Sequence, residues 1–299
     1  MKKTPKKLGA GFLVLVALSV VLVGSLPRAR AQGKSFLWKV SSEQNSIYIL
    51  GSIHFLRKDN YPLQKVIEDA YEQSRKLVLE IDLASPSAAK VQQLMLAKGV
   101  FLDGTTLQQC VSKETYDLVE KRAKELGVDI QAMGSMKPWV VALTMAAMKL
   151  RQLGFDQRFG IDHYFAERAK QQGKVVQGLE MPEFQVGLLD QFSRRDQESM
   201  LLQTLKEMDL LEDGVGGIIN AWKVGDVAAM EKLMLASMRN YPEIQQKLLT
   251  DRNRQWLPAL EQLLSSSDSV LVIVGAAHLV GTKGVLELLK QRGYRVEQL

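Results

Sequence analysis

His54 and His278 each close a Gly-x-x-His motif at the end of a short apolar run, and this repeat restricts the fold more than any other feature. The runs are Ser46-Ile47-Tyr48-Ile49-Leu50-Gly51-Ser52-Ile53-His54 and Ser269-Val270-Leu271-Val272-Ile273-Val274-Gly275-Ala276-Ala277-His278. Near-continuous Val, Ile and Leu describe strands covered on both faces, as in a parallel sheet packed between helices. Glycine permits a sharp departure from the strand and a close approach of backbone to a bound group. The chain has only three histidines, so two in one strand-end context imply two imidazoles at a single sheet edge. Imidazoles paired in this way bind a metal or share a proton. The plainer alternative is that both rings only hydrogen-bond loop carbonyls.

Residues 1–31 read as a secretory signal peptide. Lys2, Lys3, Lys6 and Lys7 precede an apolar stretch from Leu8 to Leu26, and Ala29-Arg30-Ala31 offers a small-residue cleavage site. The expected destination is the periplasm or the cell exterior; the alternative is an uncleaved membrane anchor. The leader holds six of the 39 basic residues and none of the 33 acidic ones, so the remainder balances at 33 of each sign. A neutral mature chain gives no electrostatic footing for nucleic acid. Cys110 is the single cysteine, which excludes an intrachain disulfide and reads as a half-buried structural thiol.

Strands are expected at Ile47–Leu50, Leu77–Asp82, Lys174–Gln177 and Val270–Val274, with a fifth at Tyr294–Gln298. Helices are expected at Pro62–Arg75, Ser112–Leu126 and Pro138–Leu153, the last as a buried central helix rather than a membrane span. The reading is a single α/β domain over 32–299, a central β-sheet with flanking helices and large helical insertions at about 84–159 and 186–250. Gly214-Val215-Gly216-Gly217 reads as flexible punctuation, a hinge or a loop.

Two strand-end runs also carry a glutamate, Glu80 within Lys76–Asp82 and Glu180 closing Val175–Glu180. A carboxylate in an apolar strand is costly without a partner charge, hydrogen bond or metal. Ligands in open α/β sheets gather beyond the carboxyl ends of the strands, so His54, Glu80, Glu180 and His278 are expected to converge there. Two His and two Glu can bind a divalent cation and leave one carboxylate as general base. His278 is expected to be kept neutral by the positive end of the helix that includes Val285–Gln291. Arg252, early in a helix where a cation opposes the dipole, points either to a carboxylate partner or substrate anion, or to a solvated charge. Asp162 reads as a helix cap, His163 as ordinary packing, and the four tryptophans as scattered.

These residues resemble the TraB/GumN family, which includes the Tiki-type membrane metalloproteases. The likeness spans about 36–299 and is carried by Tyr48–His54, Leu79–Asp82, Lys137–Trp139, Gly160–Asp162, Gly178–Glu180, Asp251–Asn253 and Val274–Gly281. It implies a fold similar to erythromycin esterase and the haem-binding ChaN proteins, and a manganese- or cobalt-dependent peptidase centre, with zinc or iron also compatible. By motif position it implies His54, His278 and Glu180 as metal ligands, and Glu80, Glu180 and Arg252 as the catalytic set. The expected function is an exported metal-dependent hydrolase acting on a peptide or small molecule. The alternatives are a peptide- or haem-binding protein without turnover and a metal-independent esterase.

Overall fold

The computed structural model describes residues 33–83, 87–235, 238 and 241–299; the expected leader lies outside them. Six strands form one mixed sheet: β1 (Leu37–Ser41), β2 (Ser46–Ser52), β3 (Lys76–Leu79), β4 (Val175–Gly178), β5 (Val270–Gly275) and β6 (Arg295–Gln298). Their spatial order is β4-β3-β5-β2-β1-β6. The first four strands of that order run parallel, while β1 pairs antiparallel with both β2 and β6. All five expected strands are present at slightly shifted ends. β1 is an addition: it is too short and mixed to stand out alone, and its hairpin with β2 creates it.

Burial explains the order. Every residue of β5 is buried, as its unbroken apolar run requires at the centre of a sheet covered on both faces. The edge strands β4 and β6 alternate exposed and half-buried residues instead. Parallel strands need long crossovers, and the helices supply them.

After β2 comes α1 (Lys65–Gln73), which leads to β3. Between β3 and β4 lie α2 (Ser87–Lys98), α3 (Leu107–Cys110), α4 (Lys113–Glu125), α5 (Pro138–Gln152) and α6 (Ile161–Gln172). Between β4 and β5 lie α7 (Pro182–Asp190), α8 (Arg194–Glu207), α9 (Leu211–Lys223), α10 (Val227–Leu235), α11 (Pro242–Gln245) and α12 (Asp251–Ser265); α13 (Val285–Gln291) precedes β6. Ser112 caps α4 by accepting the Thr115 N–H at 3.3 Å, and Pro138 opens α5, as the sequence indicates. Among the described residues no helix is long and apolar enough to cross a membrane.

The expected flexible segment Gly214–Gly217 lies instead inside α9. Its glycines are outweighed by the helical spacing of Val215, Ile218, Ile219 and Trp222, all buried, so packing of that face overrides low helix propensity.

Candidate active site

Because β4, β3, β5 and β2 are parallel neighbours, their carboxyl ends lie side by side. Glu180, Glu80, His278 and His54 therefore follow one another along a single sheet edge. Backbone pairing fixes the alignment: Ser52 stands opposite Gly275, Leu79 opposite both Ile273 and Gly178, and Glu180 N–H donates to Glu80 O at 2.8 Å. All four expected groups are brought together. A Cβ placed on Gly275 would lie 3.2 Å from Glu80 Oε1, 3.6 Å from His54 Nε2 and 3.6 Å from His278 Cδ2. Gly275 thus leaves open the space that both rings and one carboxylate face. They form part of the wall of a cleft of about 600 Å³.

Each ring is anchored through Nδ1, and the anchors are side chains rather than loop carbonyls. His54 Nδ1 lies 2.9 Å from Asp162 Oδ1, and His278 Nδ1 lies 2.6 Å from Asn253 Oδ1. In both pairs the ring's Nδ1–H donates, which leaves Nε2 for the cleft. The expectation that Asp162 caps α6 gives way here. Gly160 holds the N-cap position, and the buried Asp162 turns inward to His54. His163, expected as ordinary packing, is half-buried and lines the cleft.

Arg252 occupies the centre. Nε donates to Glu180 Oε1 at 2.9 Å, Nη2 donates to Glu80 and Glu180, and Nη1 donates to Leu248 O and to His278 Nε2, both at 3.1 Å. A guanidinium has five N–H donors, and here all five have protein acceptors. Arg252 therefore has a carboxylate reason for sitting early in α12, and no N–H left to offer a substrate. Around it, Trp256 Nε1 donates to Glu180 Oε1 at 2.9 Å, and Gln185 Nε2 bridges Glu80 at 3.1 Å and Glu180 at 3.0 Å. Both oxygens of Glu180 are thus committed within the protein, whereas Glu80 Oε1 takes the Gly275 N–H at 2.7 Å and faces the rings.

The electrostatics follow from these partners. Asp162, by its charge and its hydrogen bond, raises His54 to about 9, against the opposing charge of Arg252. Burial, helped by the charge of Arg252, lowers His278 to about 3 although Glu80 pulls the other way. The expected helix-end effect is not the cause, because His278 sits in a separate turn, Ala276–Leu279, before α13 begins at Val285. Burial alone would raise the Glu80 carboxyl, but Arg252, both histidines and the Gly275 N–H outweigh it and hold Glu80 well below the usual carboxylate range.

The chemistry of the donors fits a divalent cation: two imidazoles anchored through Nδ1 with Nε2 directed inward, next to carboxylate oxygens. Even so, among the described residues no three His, Cys, Asp or Glu side chains are gathered closely enough to hold one. The guanidinium stands between them.

Sequence reasoning missed Asn253, Trp256 and Gln185. Asn253 and Trp256 carried a readable signal, since positions 252, 253 and 256 fall on one helical face. Gln185 carried none.

The chain is 24% identical to the uncharacterized protein YbaP of Escherichia coli (strain K12) over 247 residues, 81% of this chain and 87% of that protein. An uncharacterized protein of Treponema pallidum (strain Nichols) is 19% identical over 283 residues, 90% of this chain and 84% of its own length. No solved structure matches the chain. A model of the TraB/PrgY/gumN family matches residues 36–298, the stretch that builds both sheet and cleft, and the chain belongs to that family.

Proposed function

We propose that this protein is an exported, metal-dependent hydrolase that cleaves peptides at the edge formed by β4, β3, β5 and β2, with a fold akin to erythromycin esterase and ChaN. The observation that carries the reading is the meeting of His54, His278, Glu80 and Glu180, from positions far apart in sequence, at one sheet edge, the first three at the wall of one cleft and Glu180 buried behind them against Arg252. His54 and His278 would hold the cation through Nε2, with Glu180 as third donor; manganese or cobalt is the proposed metal, and zinc or iron suits the same donors. Such a cation, when bound, supplies Lewis acidity toward a carbonyl oxygen and toward water.

The chain's own groups do the rest. Glu80, ionised throughout the working pH range, presents Oε1 as the proton acceptor nearest both rings. Asp162 and Asn253 each hold a ring through Nδ1 and fix its orientation, so that Nε2 is the nitrogen turned toward the site. Arg252 acts as a positioning residue, since its donors are spent on the two carboxylates, His278 and Leu248. The apolar wall, including Met95, Leu143, Leu189 and Met234, accepts apolar parts of a substrate and sheds water. The partner is therefore a peptide or small molecule, with no role for nucleic acid, and membrane contact arises only through an uncleaved leader.

The test is a peptide-library assay of the purified protein with metal content measured, with and without chelator. Cleavage that needs metal and drops at least about a hundredfold in His54→Ala supports the reading. Cleavage indifferent to chelator, or intact in His54→Ala, overturns it. One observation favours a metal-independent esterase as second reading: a guanidinium already pairs with both carboxylates, and His54 with Asp162 forms a ready proton donor. Ester hydrolysis that persists after exhaustive chelation would decide for it.

A further inference from the structure

The seat at which His278 Nε2, Glu80 and Glu180 meet is filled by a side chain of the protein itself. One nitrogen lone pair serves one partner, and that of His278 Nε2 receives Nη1–H of Arg252 at 3.1 Å. Glu180 Oε2 receives Nη2–H at 2.8 Å and Oε1 receives Nε–H at 2.9 Å. Any cation using these atoms must first break those hydrogen bonds. Without a cation there, two nearly buried carboxylates, with side chains 15% and 4% exposed, would face each other with only neutral hydrogen-bond donors between them, which a folded chain tolerates poorly.

We propose that Arg252 is a built-in counter-cation that exchanges with the divalent metal. It pairs with both Glu80 and Glu180 while the metal is absent, and it withdraws from His278 and Glu180 when the metal binds. The inference rests on the metal-dependent reading above. Two features give the arm somewhere to go. The cleft lies directly beside it, lined by Arg252, Leu248 and Leu249. Arg252 also follows a π-helical turn, Gln246–Thr250, whose wide winding is a recurrent mark of functional sites in helices and whose Leu248 O is one of its acceptors. The consequence is a resting protein in which both carboxylates keep a cationic partner without metal, and which binds metal less tightly than its donors alone allow.

The experiment compares wild type and Arg252→Met by calorimetric titration with manganese(II) chloride and by thermal melting in chelator or manganese. The expected result is manganese binding at least about tenfold tighter in Arg252→Met, because the competing donor is gone. Its melting temperature, depressed in chelator, should rise further on adding manganese than that of wild type. Equal or weaker binding, with no larger rise, overturns the proposal. If Arg252→Met does not fold in chelator, refolding from denaturant with and without manganese replaces the melt: recovery that depends on manganese supports exchange, and no recovery in either condition overturns it. Tight manganese binding by wild type that Arg252→Met leaves unchanged would remove the exchange and leave the hydrolase reading standing. Exchange without peptide cleavage would do the reverse.

Discussion

His54 anchors Nδ1 on the carboxylate of Asp162 and leaves 47% of its side chain exposed. His278, one strand away, anchors the same atom on the neutral amide of Asn253, packs at a tilt against Trp256 with ring centroids 4.4 Å apart, and has a side chain only 5% exposed. The motif is the same and so is the strand end. Yet one ring is raised to about 9, chiefly by Asp162, and the other lowered to about 3, chiefly by burial. A Gly-x-x-His motif thus fixes where an imidazole stands, while its tertiary neighbours decide whether it carries a proton. The charged His54 can therefore donate a proton, whereas His278, its Nε2 lone pair held by Arg252, stays neutral beside it.

The most damaging way to break this contrast is Arg252→Ala, which strips the His278 side of its cation. Leaving Glu80 and Glu180 buried without it should cost about 4 kcal/mol in urea unfolding. A loss below about 1 kcal/mol would mean that the carboxylates have another source of compensation.

Asp162→Asn attacks the other side. The His54 ring should titrate near its ordinary 6.5 rather than about 9, as read by NMR of the imidazole protons. The sign for stability follows from linkage. A folded value above the unfolded one contributes stability that is complete below pH 6.5 and lost as pH rises through about 9. Wild type should therefore lose stability across that window, and Asp162→Asn should show a flatter profile. An unchanged titration would assign the charge on His54 to Glu80 instead.

Asn253→Asp sharpens the comparison by giving His278 the same kind of anchor that His54 has. Its ring should move upward from about 3, toward the behaviour of His54, in the same NMR titration. No movement would show that burial alone governs this ring. The smallest effect is expected from Trp256→Phe, which keeps a ring beside His278 but removes the 2.9 Å hydrogen bond to Glu180. About 2 kcal/mol of stability should be lost, the usual worth of a hydrogen bond to a charged group, with His278 titrating as before.

The amino-acid sequence by itself determined the central parallel strands β2, β3 and β5, because their near-continuous apolar runs call for burial on both faces. It also determined the strand-end positions of His54, Glu80, Glu180 and His278, because glycines and polar groups interrupt those runs at fixed points. Gly214–Gly217 shows the limit of such local evidence: glycines that read as a loop became helix once a buried face required it. Tertiary structure alone decided that Asp162 leaves the helix cap for His54, and that His278 is neutral by burial rather than by a helix end. It alone placed Arg252 among all four of its partner groups and left Glu180 fully hydrogen-bonded. The physical reason is range. Strand patterning is a property of neighbours along the chain, whereas charge at a buried site depends on groups that meet only after five parallel or antiparallel pairings have set the sheet.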